Sequence, residues 1–247
     1  MSRLTSSDDE RPMSVLDRIL AVLDAVKTAG GPTTVSDITA RTGIPKSTAA
    51  RLVSDLVERG YLARDRNGIT LGLRLFELGS LATQPRRLLS VAAPVVRDLS
   101  QHTGERVGLW VQQGTDMVSL AAVPGRLPML PARAGVRSPA LTTASGKAYL
   151  AFCEDPHIVE RVAAPLHDGD ADRFYDELTA VRSVSSATDP GQSYRGVLAV
   201  ASPILGAEQR VVGAISIAGP ADSMRAADVE PLVRGAAISL TRRLAAA

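Results

Sequence analysis

The residues of this chain with the clearest chemical potential lie close together: Lys46, Ser47, Thr48 and Arg51, followed by Arg64 and Arg66. Their types form neither a nucleophile–base pair nor a metal-ligand set. Short hydroxyls and cations on a face with nothing apolar to bury suit a different task. They can donate hydrogen bonds to the phosphate oxygens and base edges of double-stranded DNA. A second group, Thr142-Thr143-Ala144-Ser145-Gly146-Lys147, puts small donors at the start of a helix. Backbone N–H groups and the helix dipole make such a turn a receptor for a carboxylate, although a purely structural helix cap would look the same. It is not a phosphate-binding loop of Walker type, which needs glycine where Leu141 stands and Ser or Thr where Ala148 stands. Catalytic sets are missing elsewhere too. His102, His157 and His167 have no metal-ligand spacing with one another or with Cys153, and Ser145 lies in no nucleophile-elbow sequence. We therefore expect no catalytic residues, no metal and no cofactor, with Cys153 a small buried hydrophobe.

The elements that must position the first group can be read around it. Thr34 and Asp37 have capping-box spacing, and Gly43 stands where a helix C-terminus needs positive φ. After Pro45 a second helix begins, with Ala49, Leu52, Val53 and Leu56 at helical spacing on one face. Lys46, Ser47, Ala50, Arg51 and Ser54 fall on the other. This is the division a DNA-reading helix–turn–helix needs, and a plain surface helical hairpin is the alternative. The run from Tyr61 to Leu71 alternates around Asn67-Gly68, which predicts a hairpin with a type I′ turn and carries Arg64 and Arg66 near its tip. Upstream, Ser14 and Asp17 repeat the capping-box spacing, and Leu16, Ile19, Leu20, Leu23 and Val26 form a stripe ending at Gly30-Gly31-Pro32. Three helices and a hairpin wing make a winged helix–turn–helix.

Beyond the wing, residues 73–84 read as a helix broken by Pro85-Arg86-Arg87, after which 88–102 is helical again. Strands follow at 106–112 and 116–122 around Gly114-Thr115, with a short strand near Met129-Leu130. Helices are expected at 142–152, 155–163 and 171–181, then a polar loop to Ser193, strands at 196–205 and 210–218, and a closing helix at 228–246. The pattern is α+β.

Three blocks, SVLDRILAVLDAV, TVSDITARTGIPKSTAARLVSDLVERGYL and GITLGLRLFELGS, resemble the DNA-binding half of the IclR family of bacterial transcriptional regulators. PVVRDLSQHTGERVGLWV, LTTASGKAYLAF and GVLAVASPI with VVGAISIAGP resemble its effector-binding half, in the same order and across nearly the whole chain. The polar, acidic N-terminus reads as a disordered tail at 1–12, and the resemblance implies a winged helix at 13–72, a linker helix at 73–87 and a GAF-like α+β effector domain at 88–247. It implies a homodimer or dimer of dimers on an inverted-repeat operator, with the linker helices in contact. It also implies a repressor of a catabolic gene cluster, answering to a small organic acid.

Pocket positions carried over from the resemblance are Ala144, Ser145 and Gly146 at the turn, Asp189 in the polar loop, and Val197, Ala199, Ser216 and Ala218 on the strands. Met129, Leu130 and Trp110 are weaker wall candidates, each readable as simple core. Gln192, Ala199 and Ala218 depart from the more polar family pattern, so an aromatic acid is expected rather than a two-carbon one. The rival reading is a small-molecule enzyme with an appended winged helix.

Composition agrees with this frame. Hydrophobic residues make up 45% of the chain and the net charge is only +2, too little for a non-specific nucleic-acid binder but enough for a few placed contacts. Aromatics at 3% argue against a stacking platform for single strands. A polar N-terminus without an apolar signal segment, no bilayer-length apolar run and a lone cysteine lead us to expect a cytoplasmic protein with no membrane partner.

Overall fold

The computed structural model describes residues 13–246, so the tail at 1–12 lies outside the described residues. The chain divides into two compact units, one ending at Ala82 and one beginning at Thr83.

The first unit holds α1 (Val15–Ala29), α2 (Val35–Thr42), α3 (Lys46–Glu58), the hairpin β1 (Leu62–Asp65) and β2 (Gly68–Leu71), and α4 (Leu73–Ser80). Both expected capping boxes form. The Thr34 hydroxyl accepts the Asp37 N–H at 3.2 Å while the Asp37 carboxylate accepts the Thr34 N–H at 3.0 Å, and Ser14 with Asp17 does the same for α1. Ile38, Ala49, Leu52, Val53 and Leu56 close over Val22, Val26, Leu62 and Ile69. Each large apolar side chain buried there stabilises the unit by roughly 1.5–3 kcal/mol.

Three local expectations need correction. On α1 it is Val22, Ala25 and Val26 that are buried, while Leu16 and Leu20 are exposed. The helix is apolar on more than one side, and periodicity alone does not say which side faces the core. The hairpin turn is centred on Arg66-Asn67, not Asn67-Gly68, because Asp65 pairs with Gly68. Neither Arg66 nor Asn67 has positive φ, so the turn is not type I′. The Asp65 carboxylate closes it by accepting the N–H groups of Asn67 (2.7 Å) and Gly68 (3.2 Å). Gly68 is needed for another reason: it has φ 136°, and a Cβ there would stand 2.7 Å from the Thr33 carbonyl oxygen. That close approach lets Thr33 and Ile69 exchange backbone hydrogen bonds, which ties the wing to the entrance of α2.

The second unit opens with α5 (Thr83–Thr103), so Pro85 begins a helix where a break was expected. In the first turn proline loses no intrahelical bond. Strands β3 (Arg106–Gln113), β4 (Asp116–Val123), β5 (Arg137–Pro139), β6 (Ala187–Asp189), β7 (Val197–Leu205) and β8 (Val211–Pro220) form one antiparallel sheet in the order β5-β4-β3-β8-β7-β6. Met129-Leu130 is a turn and not a strand, and β6 lies inside the segment expected to be loop. Between β5 and β6 run α6 (Ala144–Leu150), α7 (Pro156–Ala163) and α8 (Asp168–Val184), and α9 (Ala226–Ala246) closes the unit.

Strand alternation gives the sheet two apolar faces. Val107, Leu109, Val200, Ile215 and Ile217 pack on α5 and α9 through Leu88, Val96, Val233 and Leu240. The opposite face carries Trp110, Ala201 and Ala214 against α6 and α8 through Ala144, Ala148, Phe174 and Leu178. Cys153, expected to be buried, is half-buried, and burial pushes its thiol above the ordinary 9.0. It is therefore not an activated thiolate.

Candidate functional site

The first site is the outer face of α3. Burial of Ala49, Leu52, Val53 and Leu56 turns Lys46, Ser47 and Arg51 outward, and Thr48 is half-buried at the edge of that face. Lys46, Arg51, Arg64 and Arg66 make no salt bridge among the described residues, so their charge is available to a partner. Pro45 supplies no side-chain cap to α3. The first N–H to bond within the helix is that of Ala49, to the Pro45 carbonyl at 2.9 Å, which leaves the preceding N–H groups for a phosphate oxygen. Arg64 and Arg66 are exposed on the wing.

The second site is a concavity on the α6 side of the large sheet, holding about 520 Å³ not occupied by protein atoms, part of it open to solvent. Its floor comes from side chains that alternate onto one face of β3, β8 and β7. Ladder register places Arg106 opposite Ala218, Ala218 opposite Ala199, and Ala199 opposite Asp189, one rung across four strands. The two alanines leave space where larger side chains would fill it. Leu130, Val197 and Ala218 form a small apolar wall. Trp110 closes the base, its indole N–H donating to Ser216 Oγ at 2.9 Å.

Among the expected pocket residues, Leu130, Ala144, Ser145, Asp189, Val197, Ala199, Ser216 and Ala218 line this space, and Gly146 and Met129 do not. Met129 is 63% exposed, because the turn that buries Leu130 points its neighbour to solvent. Gly146 is pressed against the backbone of Ala140, and its N–H goes to the Thr143 hydroxyl at 3.2 Å. Asp189 is buried, and its carboxylate accepts the N–H groups of Gly191 (3.0 Å), Gln192 (2.6 Å) and Ser193 (3.3 Å). It holds the turn that brings Ser193 and Tyr194 to the rim. Lys147 faces away, fully buried, its Nζ donating to Glu177 Oε1 and Gln192 Oε1, each at 2.7 Å.

Sequence reasoning missed Arg106, which lines the cavity while only 5% exposed. At the start of a strand it reads as a polar end. The signal was there in the alternation Arg106, Gly108, Trp110, which puts the cation on the face of the only tryptophan. Ser138 and Tyr194 are further lining residues that were not singled out, and Thr143, from the expected donor turn, lines it too. No cluster of metal-ligating side chains occurs among the described residues, and no helix there is long and apolar enough to cross a membrane.

Comparisons with known proteins bear on both sites. Residues 15–66 match the IclR helix-turn-helix domain, and residues 81–242 match the bacterial transcriptional regulator IclR C-terminal domain. The HTH-type transcriptional regulator KipR of Bacillus subtilis is 28% identical over 75% of this chain and 78% of its own. The HTH-type transcriptional repressor AllR of Escherichia coli K12 is 26% identical over 87% of this chain and 83% of its own. An IclR homologue from Microbacterium hydrocarbonoxydans, crystallised with 4-hydroxybenzoate, superposes with a TM-score of 0.82 at 28% identity, covering 95% of this chain and all of that one. These relatives are regulators of transcription, and the enzyme reading falls away with them.

Proposed function

The chain belongs to the IclR family of bacterial transcriptional regulators, and from that premise we propose that it represses a catabolic gene cluster and is released by a small aromatic acid. The observation that carries the reading is the pairing of two sites in one chain. One is an outward helix face of unpaired cations and hydroxyls; the other is a largely apolar cavity with a few convergent polar groups. The complex of a relative with 4-hydroxybenzoate supports the ligand class, and the naming of AllR as a repressor supports the sign of regulation.

Lys46 and Arg66 anchor phosphates while Ser47, Thr48 and Arg51 read base edges, with Arg64 at an adjacent groove. The protein acts in the cytoplasm as a dimer or a pair of dimers on an inverted repeat. On α4, Phe76 is 73% exposed, and Leu73 and Leu78 with Leu81 just past its end are exposed too, a surface suited to a second copy. The linker reading keeps residues 73–87 as the connection between a winged helix at 13–72 and an effector domain at 88–247. Ligand works by favouring one of two dimer arrangements that differ in operator affinity.

Footprinting on DNA upstream of its own gene tests this. Protection of an inverted repeat, relieved by a hydroxybenzoate or phenylacetate and not by glyoxylate or pyruvate, is the expected result. Absence of any protected site, or a strictly monomeric mass at micromolar concentration, would overturn it.

A further inference from the structure

Arg106 is a buried cation without a carboxylate. Its Nε and Nη2 donate to the Pro131 carbonyl at 3.0 and 2.8 Å, and its guanidinium lies 5.2 Å from the centroid of the Trp110 ring. Nη1 makes no hydrogen bond among the described residues, and Arg106 lines the cavity. Neighbouring Glu105 does not serve it. That carboxylate lies on the other side of the strand, accepting from Arg126 Nε at 2.9 Å. Burial lowers the pKa of Arg106 below its ordinary value, and Tyr194 at the rim offsets this only in part.

A guanidinium withdrawn from water and left without a counter-ion costs stability unless an anion completes it. Its planar fork suits a carboxylate, which can accept two parallel bonds. The turn at α6 is less well equipped, since the Gly146 N–H is already taken by Thr143.

The rung that carries Arg106 ends on the opposite charge. Ala218 and Ala199 separate it from Asp189, which lines the same cavity, and three ladder spacings place the two Cα atoms about 14 Å apart. That rung is charged at its two ends and apolar between them.

We infer that Arg106 is the anion-recognising residue of the effector site, and that the effector is a monocarboxylate with a hydrogen-bond donor at its far end. The carboxylate sits on the guanidinium, the hydrocarbon lies over Ala218 and Ala199 against Val197 and Leu130, and the donor points to Asp189. This rests on the reading of the cavity as the site of a small organic acid.

Calorimetry on the full chain tests it with 4-hydroxybenzoate, benzoate, the neutral 4-hydroxybenzamide and glyoxylate, on wild type, Arg106→Gln and Arg106→Lys. Wild type should prefer 4-hydroxybenzoate to its amide by about 10- to 100-fold, the span of a charge-assisted hydrogen bond, and to benzoate by several-fold. Arg106→Gln should bring acid and amide close to equal, and Arg106→Lys should fall between, keeping the charge but losing the fork. A glutamine variant with the full acid preference would overturn the assignment of Arg106. If that variant does not fold, a lysine variant with wild-type affinity for the acid overturns it equally. Tighter binding of glyoxylate than of 4-hydroxybenzoate refutes the spanning ligand. A wild type that binds none of the acids refutes the effector reading itself.

Discussion

Lys147 and Glu177 offer an asymmetric test of how the effector unit holds a buried charge. Lys147 is 1% exposed, whereas the Glu177 side chain is 38% exposed and Gln192, the other acceptor, is also at the surface. Removing either partner deletes the same 2.7 Å ion pair, yet the two deletions leave different remnants. Glu177→Gln strands a cation in the interior with only neutral acceptors. Breaking a fully buried pair in that way costs about 3–5 kcal/mol, and solvent reaching Glu177 reduces the figure to about 1–3 kcal/mol. Lys147→Met leaves a solvent-accessible carboxylate and an exposed amide that water can solvate, and puts an apolar side chain of similar length in the buried position. Its cost should stay within about 1 kcal/mol. The single tryptophan makes the assay selective: Trp110 is buried in the effector unit, so its fluorescence follows that unit and not the winged helix. With a urea m-value of about 2 kcal/mol/M, Glu177→Gln should lower the midpoint by about 1 M and Lys147→Met by less than about 0.5 M. If Lys147→Met proved the more damaging of the two, the reasoning from residual charge would be refuted.

On DNA, Arg51→Ala should cost about 1–3 kcal/mol at the cognate site and little on random sequence. Lys46→Ala should weaken both alike and reduce the slope of log K against log salt by about 0.9; salt titrations of gel shifts separate the two patterns. Ser145→Trp places an indole in the cavity and should abolish relief of DNA binding by 4-hydroxybenzoate while leaving operator affinity as it was. Unchanged relief would show that ligand binds elsewhere. The hydrogen bonds from Thr34 hold the Asp37 carboxyl below its ordinary 3.8. That contribution is therefore complete above about pH 3.8 and is lost as pH falls through the lowered folded-state value. Asp37→Asn should melt earlier than wild type at pH 6 by circular dichroism, with the gap closing only as the pH falls below 3.8 and through the lowered folded-state value; a gap that persisted in strong acid would count against the capping box as its source.

The first unit was legible because its signals are local. Each capping box spans four residues, α3 declares its two faces within thirteen, and the hairpin lies in one short run. What failed there was the choice among local options, such as which apolar side of α1 is covered. The cavity is another matter. Its strand walls at Val197, Ala199, Ser216 and Ala218 followed from period-two alternation and family resemblance. Its cation did not, because Arg106 meets Ala218 and Asp189 only after β8 and β7 insert between β3 and β6. No window of sequence contains that rung. Met129 and Gly146 went astray for a related reason: residues adjacent in the chain can point to solvent and to protein, and only packing decides between them.

The central sheet separates what this protein can change from what it must keep. Along β8, Ile215 and Ile217 are locked into the helices behind the sheet, while Ser216 and Ala218, alternating with them, face the cavity. Substitutions at the cavity-facing positions alter the size and polarity of the space without disturbing the packing that folds the unit. A duplicated copy of the gene can thus acquire a cavity of new shape by changes at alternate residues of two strands, keeping its fold meanwhile. Diversity of ligands on one scaffold is the evolutionary consequence of a strand's period of two.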